Sequence, residues 1–399
     1  MRPRRRALRK HRPFPARGPH DYELLVDGGA FIPAMLEAIE SASTQVLLEM
    51  YLISSGALTD RFIVALTAAA QRGVAVHVLL DGFGGQGLRQ ADRQNLTAAG
   101  VHLAVYNPLG VSRWRVSLFR DHRKLLLVDD RIAFVGGAGI TDDFDPEARD
   151  DGMHWHEVML ALRGPCVADW RRLFALCWRN WSPEPVTFRD AAAAESLLAG
   201  RLDGLVLGNR RSGGQAVMRA VLAEIGKARR RVWIATAYFV PTQRLRAALK
   251  RAARRGVDVR LLLAGPCNDH PSVWHAGRRF YGRLLRGGVR ILEYQPRFLH
   301  AKVVLCDDWV SIGSSNFDHW NLRWSLEANQ AAMDSALAEQ VAALFAADFE
   351  LSEEWTAHAW QRRGWWPRLL ERLNGGLDDY LVQWSYRRAL RHPPPQREA

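Results

Sequence analysis

Short apolar runs alternate with amphipathic segments along most of the chain. Val46–Ile53, Val74–Leu80 and Val101–Tyr106 are apolar runs of strand length, and the helical spacing of Asp60–Arg72 ends at Gly73. Apolar runs separated by amphipathic helices predict strands that are buried on both faces of a sheet. A glycine just after the last helical residue is a common helix terminator. The pattern therefore predicts an α/β fold.

The same order of elements returns in the second half of the chain. The predicted strands there are Val232–Ala237, Val257–Leu263 and Val289–Tyr294, and the predicted helix is Gln243–Arg255, which ends at Gly256. The segment AAQRGVAVHVLL (69–80) matches AARRGVDVRLLL (252–263), and two further pairs of segments match in the same order. We therefore predict two similar α/β/α sandwich lobes, related by a pseudo-two-fold axis, with one active site between them.

Composition divides the chain further. The predicted parts are a basic N-terminal tail (1–19), a first lobe (20–182), a linker (183–204), a second lobe (205–355) and a Trp- and Arg-rich C-terminal tail (356–399). Tryptophan beside arginine is typical of a membrane–water interface. A helix that packs its tryptophans on the protein body gives the same composition, so the sequence leaves both interpretations open.

The positive charge is concentrated in the two tails. The 399 residues contain 55 Lys and Arg against 42 Asp and Glu, a net charge of +13. Residues 1–17 carry eight basic residues and no acid, and residues 361–399 carry a net +4, so the 343 residues between them carry only +1. A basic tail indicates docking to lipid or nucleic-acid phosphates, although a solvated tail has the same composition. The near-neutral body disfavours a nuclease, which needs a positive stripe.

Other classes of protein are disfavoured by what the sequence lacks. The four cysteines form no CxxC pair, which argues against a disulfide scaffold and a zinc ribbon. No apolar run approaches the roughly 18 residues of a membrane span, and no apolar stretch follows the basic N-terminus. We expect neither a transmembrane helix nor a signal peptide.

A short motif, His-x-Lys-x-x-x-x-Asp, occurs once in each half of the chain. Its residues are His122, Lys124 and Asp129 in the first copy and His300, Lys302 and Asp307 in the second. Residues two apart on a strand face the same way, so each histidine is expected beside its lysine. The aspartates have the opposite parity and are expected to brace or orient the site. The chain has only five lysines, and an ammonium group can bind one phosphoryl oxygen without crowding the attack.

Two histidines on opposite sides of a phosphorus atom can supply the nucleophile and the general acid that cleavage of a phosphodiester requires. Each lobe then contributes half of a site, and the two lysines neutralise the non-bridging oxygens. Ser314 and Asn316 follow the second motif and offer hydrogen-bond donors to a phosphoryl group. Glu157 and Glu327 follow the two motifs at comparable places, where each carboxylate could orient a histidine.

The duplicated motif resembles that of the phospholipase D superfamily, over roughly residues 27–350. Within it, the segments FRDHRKLLLVDDRIAFVGG (119–137), AYFVPTQRL (237–245), EYQPRFLHAKVVLCDDWVSIGSSNFD (293–318) and HWNLRWSLEAN (319–329) are similar to bacterial cardiolipin synthases of the B type. The resemblance implies a phosphohistidine intermediate without metal or other cofactor. It makes His122 or His300 the nucleophile, with His122 favoured, and assigns phosphoryl binding to Lys124, Lys302 and Asn316.

This chain departs from the family pattern at two places. Gly139 stands where the family usually has an asparagine after the first glycine-rich turn, and Ser325 stands where relatives often have another asparagine. Hydrogen-bond donors are then expected mainly from the second lobe.

The resemblance implies transfer of a phosphatidyl group from one phospholipid to phosphatidylglycerol. The expected partners are anionic phospholipids, including phosphatidylglycerol and cardiolipin, and a membrane surface, with no nucleic acid. The expected location is peripheral, on the cytoplasmic face of a bacterial cell membrane. The alternatives are a phospholipase D that uses water or a small alcohol as acceptor, a nuclease of the same superfamily, and a catalytically silent membrane-binding scaffold.

Overall fold

The computed structural model describes residues 14–109, 119–149, 151–182, 184, 186, 202–208, 213–318 and 324–376. Most of the predicted basic tail, most of the predicted linker and the last 23 residues, with Trp384, lie outside the described residues.

The first half of the chain forms a seven-stranded mixed sheet with its helices. Its strands are β1 (Asp21–Val26), β2 (Gln45–Met50), β3 (Ala75–Asp81), β4 (His102–Tyr106), β5 (Arg120–Asp121), β6 (Lys124–Val128), β7 (Ile132–Gly136) and β8 (Val158–Arg163). Its helices are α1 (Gly28–Glu40), α2 (Ala57–Gln71), α3 (Gln90–Ala98) and α4 (Cys166–Trp181), with a 3₁₀ turn at Asp142–Phe144. The sheet order is β1-β8-β7-β6-β2-β3-β4, and β5 pairs outside this sheet.

The second half forms an eight-stranded mixed sheet. The strands of this half are β9 (Gly204–Gly208), β10 (Arg231–Thr236), β11 (Phe239–Val240), β12 (Asp258–Ala264), β13 (Arg290–Tyr294), β14 (Val303–Cys306), β15 (Trp309–Gly313), β16 (Phe317–Asp318), β17 (Ser325–Leu326), β18 (Ala328–Met333) and β19 (Ser352–Trp355). Of these, β11, β16 and β17 pair outside the eight-stranded sheet. Its helices are α5 (Gly213–Lys227), α6 (Gln243–Arg254), α7 (Pro271–Arg278), α8 (Tyr281–Leu285), α9 (Ser335–Glu350) and α10 (Ala357–Arg362). Residues 365–376 are also helical and are called the C-terminal helix below.

The two sheets have the same topology. Read from the other end, the second sheet runs β9-β18-β15-β14-β10-β12-β13, strand for strand like the first, and β19 is added at its edge. In each sheet three neighbouring strands are parallel, namely β2, β3 and β4 in the first and β10, β12 and β13 in the second. The predicted duplicated α/β fold is confirmed, and the predicted strands and helices differ from the observed ones by at most three residues at their ends.

The core explains why the lobes are joined so closely. On β2, Leu48 faces the outer helices α1 and α2, whereas Leu47 faces a central core that both lobes share. This central core also contains Val303 and Leu305 of the second sheet and lies around the inner helices α4 and α9. The first lobe's inner helix therefore packs against the second lobe as well as its own.

A buried hydrogen bond crosses this central core. Trp170 of α4 is buried, and its indole Nε1 donates to Oε1 of Gln330 on β18, 2.9 Å away.

Among the helices of the described residues, none combines the length and the hydropathy that a bilayer span requires.

Replacing Trp170 should destabilise both lobes together. The change Trp170→Ala empties a large site in the shared core and leaves the Gln330 amide without its donor, so we expect a loss of roughly 3–5 kcal/mol. Chemical denaturation followed by circular dichroism measures the loss. Trp366→Ala, at an exposed tryptophan, is the control and should change the free energy of unfolding little. A Trp170→Ala protein as stable as the parent would contradict the shared core.

Candidate active site

Strand topology brings each His-x-Lys pair to the same edge of its sheet. Lys124 begins β6 and lies opposite Met50, the last residue of β2, because these strands are antiparallel. The carboxyl ends of the parallel strands therefore share an edge with the amino end of the motif strand. In the second sheet, Val303 begins β14 opposite Ala235, near the carboxyl end of β10, so His300 and Lys302 lie at the corresponding edge.

The two edges meet across the lobe boundary. Just before the first motif, β5 pairs in parallel with β17 of the other lobe, and His122 donates its backbone N–H to the carbonyl of Leu326, 3.0 Å away. On the other side, His300 donates its backbone N–H to the carbonyl of His156 at 2.8 Å. Both histidines are thus held at the boundary by backbone of the opposite lobe.

The glutamates are exchanged between the lobes. Glu157 of the first lobe lies 2.5 Å, through Oε2, from Nδ1 of His300, and Glu327 of the second lobe lies 3.1 Å, through Oε1, from Nδ1 of His122. Both carboxylates are fully buried, and burial raises the pKa of Glu157. A carboxylate at Nδ1 places the imidazole hydrogen there and leaves the Nε2 lone pair free.

Each lysine lies beside its histidine, as the strand parity predicts. Lys124 Nζ donates to the backbone carbonyl of His122 at 2.7 Å and lies 4.8 Å from the ring centre of Tyr51. Lys302 Nζ lies 2.9 Å from Nδ1 of His300 and donates to Glu157 at 3.3 Å. Burial lowers the pKa of Lys124 to about 7 and also lowers that of Lys302.

The pKa values of both histidines are lowered in this environment. Burial lowers the pKa of both His122 and His300, and Lys124 lowers both further. For His300, the charges of Lys302, Lys124 and His122 all lower the pKa further. A bound phosphoryl group would add anionic oxygens that favour the charged forms of these side chains.

The side chain of Asn316 offers a hydrogen-bond donor that has no partner among the described residues. Its side chain is fully buried, its Oδ1 accepts a hydrogen bond from Thr236, and its Nδ2 has no hydrogen-bond partner within the described residues. An unpaired buried donor is costly unless a ligand completes it. Asn316 therefore has the chemistry of an oxygen-binding group.

The two half-sites are not equal. Gly137 and Ser314 are corresponding residues after β7 and β15; Ser314 donates its hydroxyl to Glu327, whereas a Cβ at Gly137 would lie 2.2 Å from Oε2 of Glu157. Two residues later, Asn316 corresponds to Gly139, where a Cβ would lie 2.7 Å from the carbonyl oxygen of Leu52. The first lobe therefore has no room for a second asparagine without a shift of backbone.

The motif aspartates Asp129 and Asp307, which the spacing predicts to brace or orient the site, lie at the far ends of their strands, away from the His-Lys pairs. Asp129 follows the far end of β6, about 16 Å along the strand from Lys124, and accepts backbone N–H groups of Ser43, Thr44 and Gln45 at 2.7–2.9 Å. Although burial raises its pKa, these hydrogen bonds lower it to about 2. Asp307 binds the N–H groups of residues 229–231 in the same way. Both brace a turn at the distal end of the motif strand.

A family model described as "Cardiolipin synthase, PLD-like domain" matches residues 35–145 and 221–349, which include both motifs. The chain belongs to the cardiolipin synthase family of phospholipase D-like enzymes.

Similar proteins agree with this assignment. The chain is 38% identical over 319 residues to cardiolipin synthase B of Salmonella typhi, covering 77% of this chain and 75% of the relative. It is 34% identical over 364 residues to cardiolipin synthase B of Escherichia coli (strain K12), covering 86% of this chain and 84% of the relative. Among solved structures, phosphatidylserine synthase of Haemophilus influenzae has a TM-score of 0.67 at 12% identity, covering 92% of this chain and 94% of that one, which shows a shared fold.

In this family member, sequence reasoning missed the residues that support the histidines. Tyr51 lies with its ring centre 4.5 Å from that of His122, and Trp155 lies 5.0 Å from His300. Beside His122 in sequence, the buried Arg123 pairs with Glu49 at 2.6 Å and with Asp121 at 2.9 Å. The position of Tyr51 directly after β2 was the available signal, because that strand end faces the site.

A second ion-paired cluster joins the lobes beside Glu157. His156 is buried; its Nδ1 lies 2.7 Å from Asp27 of the first lobe, and its Nε2 lies 3.2 Å from Asp348 of the second. Arg297 of the second lobe also pairs with Asp27, at 2.5 Å. Burial lowers the pKa of His156, but the hydrogen bonds to both aspartates outweigh it and raise the pKa to about 9.

This cluster predicts a pH-dependent stability. A histidine whose pKa rises on folding from 6.5 to about 9 contributes about 3 kcal/mol. That contribution is fully present below pH 6.5 and is lost as the pH rises through 9. His156→Gln should therefore lower the free energy of unfolding strongly at about pH 6 and much less at about pH 10, measured by denaturant titration.

The control is His358→Gln, at an exposed histidine on α10, which should have little effect at either pH. An equal loss at both pH values for His156→Gln would contradict a charged bridge.

Proposed function

We propose that this enzyme is a cardiolipin synthase that transfers a phosphatidyl group from one phospholipid to phosphatidylglycerol. The observation that carries the proposal is the pairing of two buried His-Lys sets, each with a carboxylate of the opposite lobe at its imidazole Nδ1. The relatives that are 34–38% identical over most of the chain are named cardiolipin synthases, and this supports transfer between lipids over other phosphodiester chemistry.

The proposed reaction has two steps. Nε2 of one histidine attacks the phosphorus of the donor lipid, and the bond to the leaving alcohol breaks as the other histidine gives that oxygen a proton. The phosphatidyl group is then bound to the nucleophilic histidine. In the second step the other histidine takes the proton from a hydroxyl of phosphatidylglycerol, whose oxygen attacks phosphorus and releases the histidine. The geometry allows either His122 or His300 to begin, so we assign the two roles to the pair.

The remaining side chains act on charge and orientation. Lys124, Lys302 and the unpaired amide of Asn316 would bind the non-bridging oxygens, where negative charge accumulates during attack. Glu157 and Glu327 would keep Nε2 of each histidine available and stabilise its protonated form, and Ser314 would hold Glu327. Transfer also requires that water be excluded from the second step.

We further propose that the enzyme works as a peripheral protein on the cytoplasmic face of the cell membrane. Its substrates are lipids, so the site has to reach a bilayer surface. The eight basic residues among residues 1–17 favour attachment to anionic headgroups.

Products from phosphatidylglycerol vesicles test the reaction. We expect cardiolipin and glycerol by mass spectrometry, and we expect His122→Ala and His300→Ala each to lower the rate by at least ~10³-fold, because each removes one of two required groups. His358→Ala is the control and should keep the parent rate. Phosphatidic acid as the sole product would assign a phospholipase D, and cleavage of nucleic acid without lipid turnover would assign a nuclease. Parent activity in either single variant would contradict one shared site.

The exchanged glutamate gives a second test. Glu157→Gln keeps an acceptor near His300 but removes the charge that pairs with Lys302, so we expect kcat to fall by roughly 10²-fold while KM changes little. Glu353→Gln, at an exposed glutamate on β19, should keep the parent kcat. An unchanged kcat in Glu157→Gln would remove this carboxylate from the mechanism.

A further inference from the structure

The C-terminal helix is fixed to the second lobe along one face. Glu371 is buried and pairs with Arg363, whose Nη2 donates at 3.2 Å, and with Arg278, whose Nε lies 3.6 Å away. Near the end of the helix, Arg279 donates to the carbonyl of Gly375 at 2.6 Å. Trp360 is buried under the guanidinium of Arg363. The orientation of the helix on the body is therefore set by ion pairs and aromatic packing.

The opposite face of this helix is apolar and exposed. Trp365 and Trp366 are 71% and 56% exposed, and Leu373 is 61% exposed. Together with the exposed Leu369, these side chains fall on one stripe at helical spacing. Single exposed apolar residues are ordinary, but four on one stripe of a fixed helix form a patch that calls for a partner.

Exposed arginines lie on the same helix and just before it. Arg362, Arg368 and Arg372 are exposed, and the one acidic residue among residues 361–376, Glu371, is buried in its ion pairs on the other face. The outer face is therefore positive as well as apolar. A helix of this composition suits the boundary between lipid headgroups and acyl chains.

A basic cleft lies beside the helix anchor. It has a volume of about 400 Å³ between α6 and α8, and its lining includes Arg246, Lys250 and Arg283. The ring of Phe280 connects the two features, because the guanidinium carbon of Arg246 lies 4.3 Å from its centre and that of Arg279 lies 4.6 Å away. Since Arg279 also binds the C-terminal helix, the cleft lies next to the anchored face of that helix.

We propose that the stripe Trp365, Trp366, Leu369 and Leu373 is a docking surface for an anionic lipid bilayer. The apolar side chains enter the headgroup region, and the arginines beside the stripe bind lipid phosphates, with the neighbouring cleft as a second anionic contact. The charge argues for this occupant over a second copy of the chain, because two copies would bring like-charged faces together. The inference rests on the proposed function, since it assigns the surface that brings the site to its lipid substrate.

Binding without turnover tests the inference. The full-length protein is sedimented with phosphatidylcholine vesicles with and without phosphatidylglycerol. We expect the double change Trp365→Ala and Trp366→Ala to weaken binding to phosphatidylglycerol vesicles about tenfold at all salt concentrations. Arg368→Gln should weaken it about fivefold at low salt and little at high salt. The matched control is Val64→Ala, which removes an exposed side chain on α2 of the first lobe and should bind like the parent.

Two results would overturn the docking surface. The first is parent-like vesicle binding by the double tryptophan variant. The second is a parent dimer that this variant converts to a monomer in analytical ultracentrifugation, which would assign the stripe to a second copy. Failure of the proposed function is a separate observation, namely a parent protein that binds these vesicles and forms no cardiolipin.

Discussion

Each histidine of the site is oriented by a carboxylate from the other half of the chain, and the rest of the structure depends on this exchange. Glu157 reaches His300 across 143 residues, and Glu327 reaches His122 across 205. A buried carboxylate without a partner costs free energy, so each buried glutamate depends on the histidine of the opposite lobe. The shared core around α4 and α9 and the bridge at His156 hold the lobes close enough for both pairs to form at once.

The exchange also sets the charge of the site. Two buried lysines lie beside two buried histidines, and burial lowers the pKa values of all four side chains. A bound phosphodiester would reverse that effect, because its anionic oxygens favour the charged lysines. Protonation of the site is therefore expected to follow substrate binding. The anionic oxygens of the substrate would then also stabilise the protonated histidine that acts as the acid. The polar groups are already in place before substrate arrives.

The repeat in the sequence predicts most of this arrangement, for a physical reason. Strand parity is local, so His122 beside Lys124 follows from their spacing alone. Pairing across the lobes is not local, and no pattern near Glu157 indicates that its partner is His300. The motif aspartates show how far strand parity can predict a contact. The spacing predicts that Asp129 faces away from Lys124, but only the fold shows that it accepts hydrogen bonds from the backbone at the start of β2. The support from Tyr51 and Trp155 likewise needs tertiary structure.

Duplication usually starts from two equal halves, and the differences here locate where the halves have specialised. The hydroxyl of Ser314 donates a hydrogen bond to Glu327, whereas the corresponding Gly137 leaves space for Glu157. Asn316 offers an amide N–H₂ without a hydrogen-bond partner among the described residues, whereas an asparagine at the corresponding Gly139 would require a shift of the backbone. The additional amide donor, Asn316, thus belongs to the second lobe, while the first supplies the carboxylate that contacts both His300 and Lys302. One asymmetric site can then give two histidines different tasks although their motifs are the same.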